Sequence, residues 1–194
     1  MILGITGGMG CGKSTAAGEF ERHGFRRIDS DALVREQVLT LPAVCDQLRA
    51  RYGDRVFAGD GTVDRARLAE TVFGDDRERA WLEDLTHPPL LALWRQAFLA
   101  APAGPWAVEV PLLFEKNLEN WFDFTLCVAC APAQQLARLE QRGLPHALAE
   151  QRISKQLPLA RKIELADFVL WNEGSAQFLQ DQVDHLIAAL PAVR

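Results

Sequence analysis

Residues 7–15, Gly-Gly-Met-Gly-Cys-Gly-Lys-Ser-Thr, satisfy the pattern G-x-x-x-x-G-K-[ST]. The pattern stands between an apolar run, Ile2 to Thr6, that reads as a buried strand and a helical stretch, Lys13 to His23, that stops at Gly24. Such a start constrains the fold to strand, loop and helix in that order. Backbone N–H groups can turn inward around an anion only where side chains leave room, and the helix N-terminus adds unpaired donors and the positive end of its dipole. Gly10, Cys11, Gly12, Lys13, Ser14 and Thr15 are therefore expected to cradle nucleotide phosphates. Lys13 would neutralise charge on the β- and γ-phosphates, and the Ser14 hydroxyl would sit on Mg²⁺. A glycine-rich turn that matches by accident is the alternative, and the placement between strand and helix speaks against it.

Arg27-Ile28-Asp29 reads as a short second strand, and the stretches Trp106 to Val110, Phe124 to Cys130 and Phe168 to Trp171 read as further strands. Helical patterns fill Asp31 or Ala32 to Leu39, Pro132 to Gln141, Ala147 to Gln156 and Ala176 to Leu190. Short buried strands alternating with helices predict an α/β fold of three layers, with a parallel five-stranded sheet covered on both faces. From residue 42 to 100 the pattern is almost wholly helical, and His87-Pro88 reads as a helix start with proline at an early position. The helical block from about residue 33 is too long for a crossover, so it is read as an inserted subdomain. In open α/β sheets ligands bind beyond the carboxyl ends of the strands, which is where the motifs fall.

The 194 residues carry 21 Lys+Arg against 26 Asp+Glu, a formal net charge of −5. A sequence-independent nucleic-acid binder would be basic, so that class is not expected. No uncharged apolar run reaches membrane-spanning length and the start of the chain lacks a basic leader, so a cytoplasmic protein is expected. Of four cysteines, Cys127 and Cys130 have C-x-x-C spacing. On a strand, residues three apart face opposite ways, so they are read as core rather than as a metal or redox pair.

Absence of N-K-x-D argues against a GTPase, and absence of a serine-rich signature argues against a transporter ATPase. What remains is the small-molecule kinase design, a sheet with an acceptor-binding insertion and an arginine-bearing lid. Asp29-Ser30-Asp31 follows the second strand. A carboxylate there either caps the next helix or accepts the proton of an attacking hydroxyl, and the two aspartates allow both. Arg138 and Arg142 share a helix face, either a solvated one or a clamp on transferring phosphate oxygens. His87 reads as structural when taken alone, and Glu109 ends a strand where a water-bridged contact to Mg²⁺ is conceivable.

Taken together, five segments resemble the dephospho-coenzyme A kinase family across nearly the whole chain. They are the loop with its flanks (Gly4 to Thr15), Ile28-Asp29-Ser30-Asp31 with Arg35, Leu85-Thr86-His87-Pro88, Val110 to Glu115, and Ala166 to Ser175. The resemblance implies a P-loop kinase fold and ATP-dependent phosphorylation of the ribose 3′-hydroxyl of dephospho-CoA, with ATP as co-substrate and Mg²⁺ as cofactor. Asp31 matches the general base, Thr6, Arg35 and His87 the acceptor side, Arg138 and Arg142 the lid, and Asn172 with Gly174 the border of the adenine. The implied division is one domain over 1–194, with a core of about 1–32, 104–135 and 164–194, an insertion of about 33–103 and a lid of about 136–163. A monomer or weak homo-oligomer is expected. Cys11 departs from the family's small serine, Arg142-Gly143 makes a shorter lid turn, and Trp171 stands where the family often has aspartate. Another small-metabolite kinase, or a nucleotide-dependent regulator without transfer chemistry, are the rival readings.

Overall fold

The computed structural model describes residues 1–190, so 191–194 of the expected core lie outside the described residues. The chain runs β1 (Ile2–Gly7), α1 (Lys13–Arg22), β2 (Arg26–Asp29), α2 (Ser30–Glu36), α3 (Pro42–Tyr52), α4 (Arg65–Phe73), α5 (Asp76–Ala100), β3 (Trp106–Glu109), β4 (Phe124–Ala129), α6 (Pro132–Gln141), α7 (His146–Ser154), α8 (Leu159–Leu165), β5 (Phe168–Trp171) and α9 (Ala176–Ala189). It divides into two compact units, Met1–Asp29 with the chain from Ala103 onward, and Ser30–Pro102. The first boundary falls directly after β2, a few residues before the expected one.

The first unit holds a parallel sheet in the order β2-β3-β1-β4-β5. Central strand β1 is buried from Leu3 onward, as a strand covered on both faces must be. Leu3 and Ile5 lie on one face with Ala107, Leu126, Val128 and Leu170, against Ala16, Ala17 and Phe20 of α1 and Leu179 and Val183 of α9. Removing a side chain such as the fully buried Phe20 from water contributes about 2–3 kcal/mol. Helix α8 packs against β1 and β4. This helix was missed in the sequence, where only Ala147 to Gln156 reads as helical in that region. The cap of α9 is the Ser175 hydroxyl, which accepts from the Phe178 N–H.

The second unit is mostly helical, as expected, but not wholly. Single 3₁₀ turns occupy Val38–Thr40 and Gly53–Val56, and Phe57 and Val63 form an antiparallel bridge around the Gly59-Asp60-Gly61 turn. Asp64 caps α4 by accepting from the Ala66 and Arg67 N–H groups, and Asp75 caps α5 by accepting from that of Arg77. That second cap overturns the reading of His87-Pro88 as a helix start. Helix α5 begins at Asp76 and carries Pro88 and Pro89 inside it. The prolines remove the donors that would pair with the carbonyls of Asp84 and Leu85. The helix nevertheless continues through Thr86, Leu90 and Trp94, all buried, with the Thr86 hydroxyl donating to Leu82 O at 2.8 Å. Tertiary burial outweighs the local proline signal here.

Arg51 on α3 makes a two-pronged ion pair with Glu78 on α5, at 2.7 and 2.8 Å, and the Tyr52 hydroxyl donates to the same carboxylate at 2.6 Å. These donors hold the Glu78 carboxyl down at about 2, while burial pushes the Tyr52 hydroxyl up to about 12. The guanidinium of Arg51 also lies 4.4 Å over the Trp81 ring. The tie between α3 and α5 is thus partly ionic and partly aromatic.

Candidate active site

The glycine-rich loop leaves the C-terminal end of β1 and enters α1, at the switch point where neighbouring strands β3 and β4 diverge in chain order. Gly12 has φ +94, and a Cβ there would lie 2.2 Å from Asn172 Nδ2. Gly7 has φ +143, with the Val128 carbonyl oxygen 2.1 Å from the position of its missing Cβ. Only glycine satisfies both the dihedral and the close approach at these two places.

The loop is held from beneath by side chains. Gln135 Nε2 on α6 donates to Met9 O at 2.8 Å, and Asn172 Nδ2, just past β5, donates to Cys11 O at 2.9 Å. Both residues are buried. Lys13 Nζ folds back on the loop, donating to Gly7 O at 3.2 Å and Gly8 O at 3.1 Å. Ser14 and Thr15 are exposed.

Asn172, expected at the border of the adenine, also braces the loop, and its backbone carbonyl accepts from Arg138 Nη2 at 2.8 Å. Gly174, two residues further on, is packed against Phe178. Gln135 was not singled out in the sequence, since a buried glutamine gives no local signal.

The two arginines of the expected lid differ. Arg138 is partly buried, docked on the Asn172 carbonyl, with its Nη1 buried and unpartnered. Arg142 caps the end of α6, is exposed, and makes no ion pair or hydrogen bond through its side chain among the described residues. Gly143 follows with φ +82.

Thr6 is fully buried, and its hydroxyl donates to Pro111 O at 3.4 Å. The same carbonyl accepts from Lys162 Nζ at 2.7 Å, and Lys162 also pairs with Glu115 Oε1 at 2.8 Å. Lys162 is wholly buried, and Glu115 Oε2 is buried without a partner. The pair joins α8 to the Val110–Glu115 segment beside β1. Breaking a buried pair from one side leaves an uncompensated charge. Lys162→Met is therefore expected to lose about 3 kcal/mol of stability, part of it returned by adding Glu115→Gln. Denaturant unfolding of the three variants checks this, and a loss below about 0.5 kcal/mol for Lys162→Met would remove the pair from the stability of this unit.

Glu109 is buried at the end of β3, and its Oε1 accepts from Arg27 Nε at 2.8 Å and pairs with Nη2 at 2.7 Å. Its carboxylate is thus engaged by β2, which competes with the water-bridged metal contact considered from sequence.

In the other unit, Asp31 lies in the first turn of α2, two residues beyond the end of β2. Arg35 follows one turn later and donates to Glu36 Oε1 at 2.7 Å. His87 is half-buried within α5.

The dephospho-CoA kinase family matches residues 1–177. A dephospho-CoA kinase of Thermosynechococcus vestitus is 45% identical over 190 residues, covering 97% of this chain and 94% of the relative. The crystal structure of a Thermus thermophilus protein superposes with a TM-score of 0.85 at 32% identity, covering 99% of this chain and 98% of that one. A dephospho-CoA kinase from Campylobacter jejuni shares the fold, with a TM-score of 0.64 at 22% identity, covering 97% and 96% of the two chains.

Proposed function

Because the chain belongs to the dephospho-CoA kinase family, whose reaction passes a phosphoryl group from ATP to dephospho-CoA, we propose that Lys13, Asp31, Arg138 and Arg142 carry that transfer in this chain. The acceptor atom is the ribose 3′-hydroxyl, and the products are CoA and ADP. The observation that carries the reading is the glycine-walled loop between β1 and α1, with a lysine whose ammonium rests on the loop's own carbonyls.

Loop N–H groups from Gly10 to Thr15 and the start of α1 take the phosphates. Lys13 leaves the Gly7 and Gly8 carbonyls for phosphate oxygens, a stronger partner for a cation than a neutral carbonyl. Asp31 accepts the proton of the attacking hydroxyl as its oxygen bonds to phosphorus. Arg35, His87 and Thr6 belong to the acceptor side of this reading. Arg138 holds the Asn172 backbone and offers its unpartnered Nη1, and exposed Arg142 at the Gly143 turn supports a lid over about 136–163.

The residues present suit Mg²⁺. Ser14 has an exposed hydroxyl, and no cluster of His, Cys, Asp or Glu that could hold a metal occurs among the described residues. One hydroxyl completed by phosphate oxygens and water is the coordination this small, hard cation favours. When bound there, Mg²⁺ neutralises charge on the β- and γ-phosphate oxygens.

The same reading places the chain in the cytoplasm, as a monomer or weak homo-oligomer acting on small anions rather than on nucleic acid. An acidic balance of 26 to 21 supports this, and no described helix is long and apolar enough to cross a membrane. ADP release with ATP, Mg²⁺ and dephospho-CoA tests the proposal. The expected result is release that requires the acceptor and stops when the metal is chelated. Release independent of dephospho-CoA, or equal with a nucleoside or sugar acceptor, would overturn it.

A further inference from the structure

The C-x-x-C spacing of Cys127 and Cys130 does not make a pair. Cys130 shares a sheet face with Leu126 and Val128, and Cys127 points the other way. The thiol that Cys130 meets is that of Cys11, 119 residues away in the phosphate loop. Its S–H donates to the Cys11 sulfur at 3.4 Å, and both residues are buried. The Cys11 sulfur lies beneath Gly8, 2.9 Å from where a Cβ on that glycine would be.

We propose that Cys11 and Cys130 form a dithiol modification site, in which an oxidant of the peroxide class links them and so disables the phosphate loop until a thiol reductant reopens it. The separation of the sulfurs exceeds a disulfide bond of about 2.05 Å by little more than an ångström. Cys130 immediately follows β4, which is paired on both sides within the sheet. Cys11 sits between Gly10 and Gly12, so the loop is the side that moves.

The chemistry balances with hydrogen peroxide alone. The Cys11 sulfur attacks one peroxide oxygen, the O–O bond breaks, and the departing hydroxide takes the thiol proton to become water. Cys11 is then a sulfenic acid. The Cys130 sulfur attacks the Cys11 sulfur, the S–O bond breaks, and hydroxide leaves with the Cys130 proton as a second water. Two thiols are oxidised by two electrons in total, and one peroxide is reduced to two waters.

The order of attack follows from the surroundings. The hydrogen bond from Cys130 and the Lys13 cation hold the Cys11 thiol below its ordinary range. As the donor in that bond and a buried group, Cys130 is pushed up. Burial raises the Cys127 thiol to about 11, which makes it a bystander.

The consequence for binding lies in the loop backbone. Cys11 N–H donates to Gly8 O at 3.2 Å, and Cys11 O accepts from Asn172. Drawing residue 11 toward β4 displaces the N–H groups from Gly10 to Lys13, and misplacement by about 1 Å costs on the order of a hundredfold in rate.

The test is a peroxide pulse on the full chain, quenched and divided. One part is mapped for cross-linked peptides without reduction, and the other is assayed for ADP release before and after reductant. The expected result is a mass lower by two hydrogens, a Cys11–Cys130 link, and activity reduced at least about tenfold and restored by reductant. Cys130→Ala is expected to show no link and no loss that reductant reverses; Cys130→Ser serves if the alanine variant does not fold. A link between Cys127 and Cys130, an unchanged mass, full activity in the linked protein, or reversible loss in both Cys130 variants would each overturn the proposal. The peptide map is read independently of the transfer reaction, so a failure of the assigned activity cannot be mistaken for a failure of the cross-link.

Discussion

Lys13→Ala is expected to lower kcat by about a thousandfold while the folded unit survives. In the proposed role the side chain is a point charge on phosphate oxygens, and its value is greatest where charge develops during transfer. In the structure its ammonium is held by the Gly7 and Gly8 carbonyls, so it helps to shape the loop in addition to its proposed role on the nucleotide. Loss of those two bonds is part of the expected effect, and it appears as a higher KM for ATP. The charge appears in kcat. Lys13→Arg separates the two contributions, because it restores the charge with a planar guanidinium that does not fit a space shaped for a slender ammonium. Arginine is therefore expected to recover little. Steady-state kinetics with ATP varied, alongside a thermal melt, measure both parts. An alanine variant within about threefold of the parent would remove Lys13 from the transfer step.

The second large effect is expected at Asp31, where asparagine should reduce kcat by about a hundredfold or more. Asparagine keeps the size and a hydrogen-bonding oxygen but cannot accept a proton. A base acts only in the transition state, so KM for dephospho-CoA should change far less than kcat. Arg35, one turn along α2, provides the contrast. An acceptor-binding residue raises KM when it is replaced, so Arg35→Ala should move KM more than kcat. If Asp31→Asn raises KM and leaves kcat near the parent value, Asp31 is a binding residue and the proton goes elsewhere.

Legibility in the sequence followed the range of the interactions involved. The glycine loop is local, since the residues that turn the backbone, those that bind and those that start the helix are neighbours in the chain. It could be read in place and so could the strand that precedes it. Strand ends were also readable to within a residue or so; for β1, β3 and β4, inside the sheet, a parallel strand buried on both faces is apolar along most of its length and stops where that run stops. His87-Pro88 failed for the opposite reason. Proline at an early position is a local sign of a helix start, yet α5 begins at Asp76 and runs through Pro88 and Pro89, with Thr86, Leu90 and Trp94 buried around them. Glu109 illustrates a third case. Its place at a strand end was correct, but its partner Arg27 lies 82 residues earlier on a neighbouring strand.

Read along the chain alone, the residues already specify a strand, a glycine-rich phosphate loop and a helix, an α/β sheet after them, and the family they resemble. These rest on periodicity and on residues adjacent in the chain, which need no knowledge of the fold. What braces the loop is visible only in the folded chain. Gln135 and Asn172 reach its carbonyls from beyond β4 and β5, and Cys130 reaches its thiol from the end of β4. Lys162 and Glu115 join α8 to the segment beside β1 in the same way. Such contacts cross between strands that are distant in sequence, and no pattern within the chain encodes which two distant residues a folded sheet will bring into hydrogen-bonding reach.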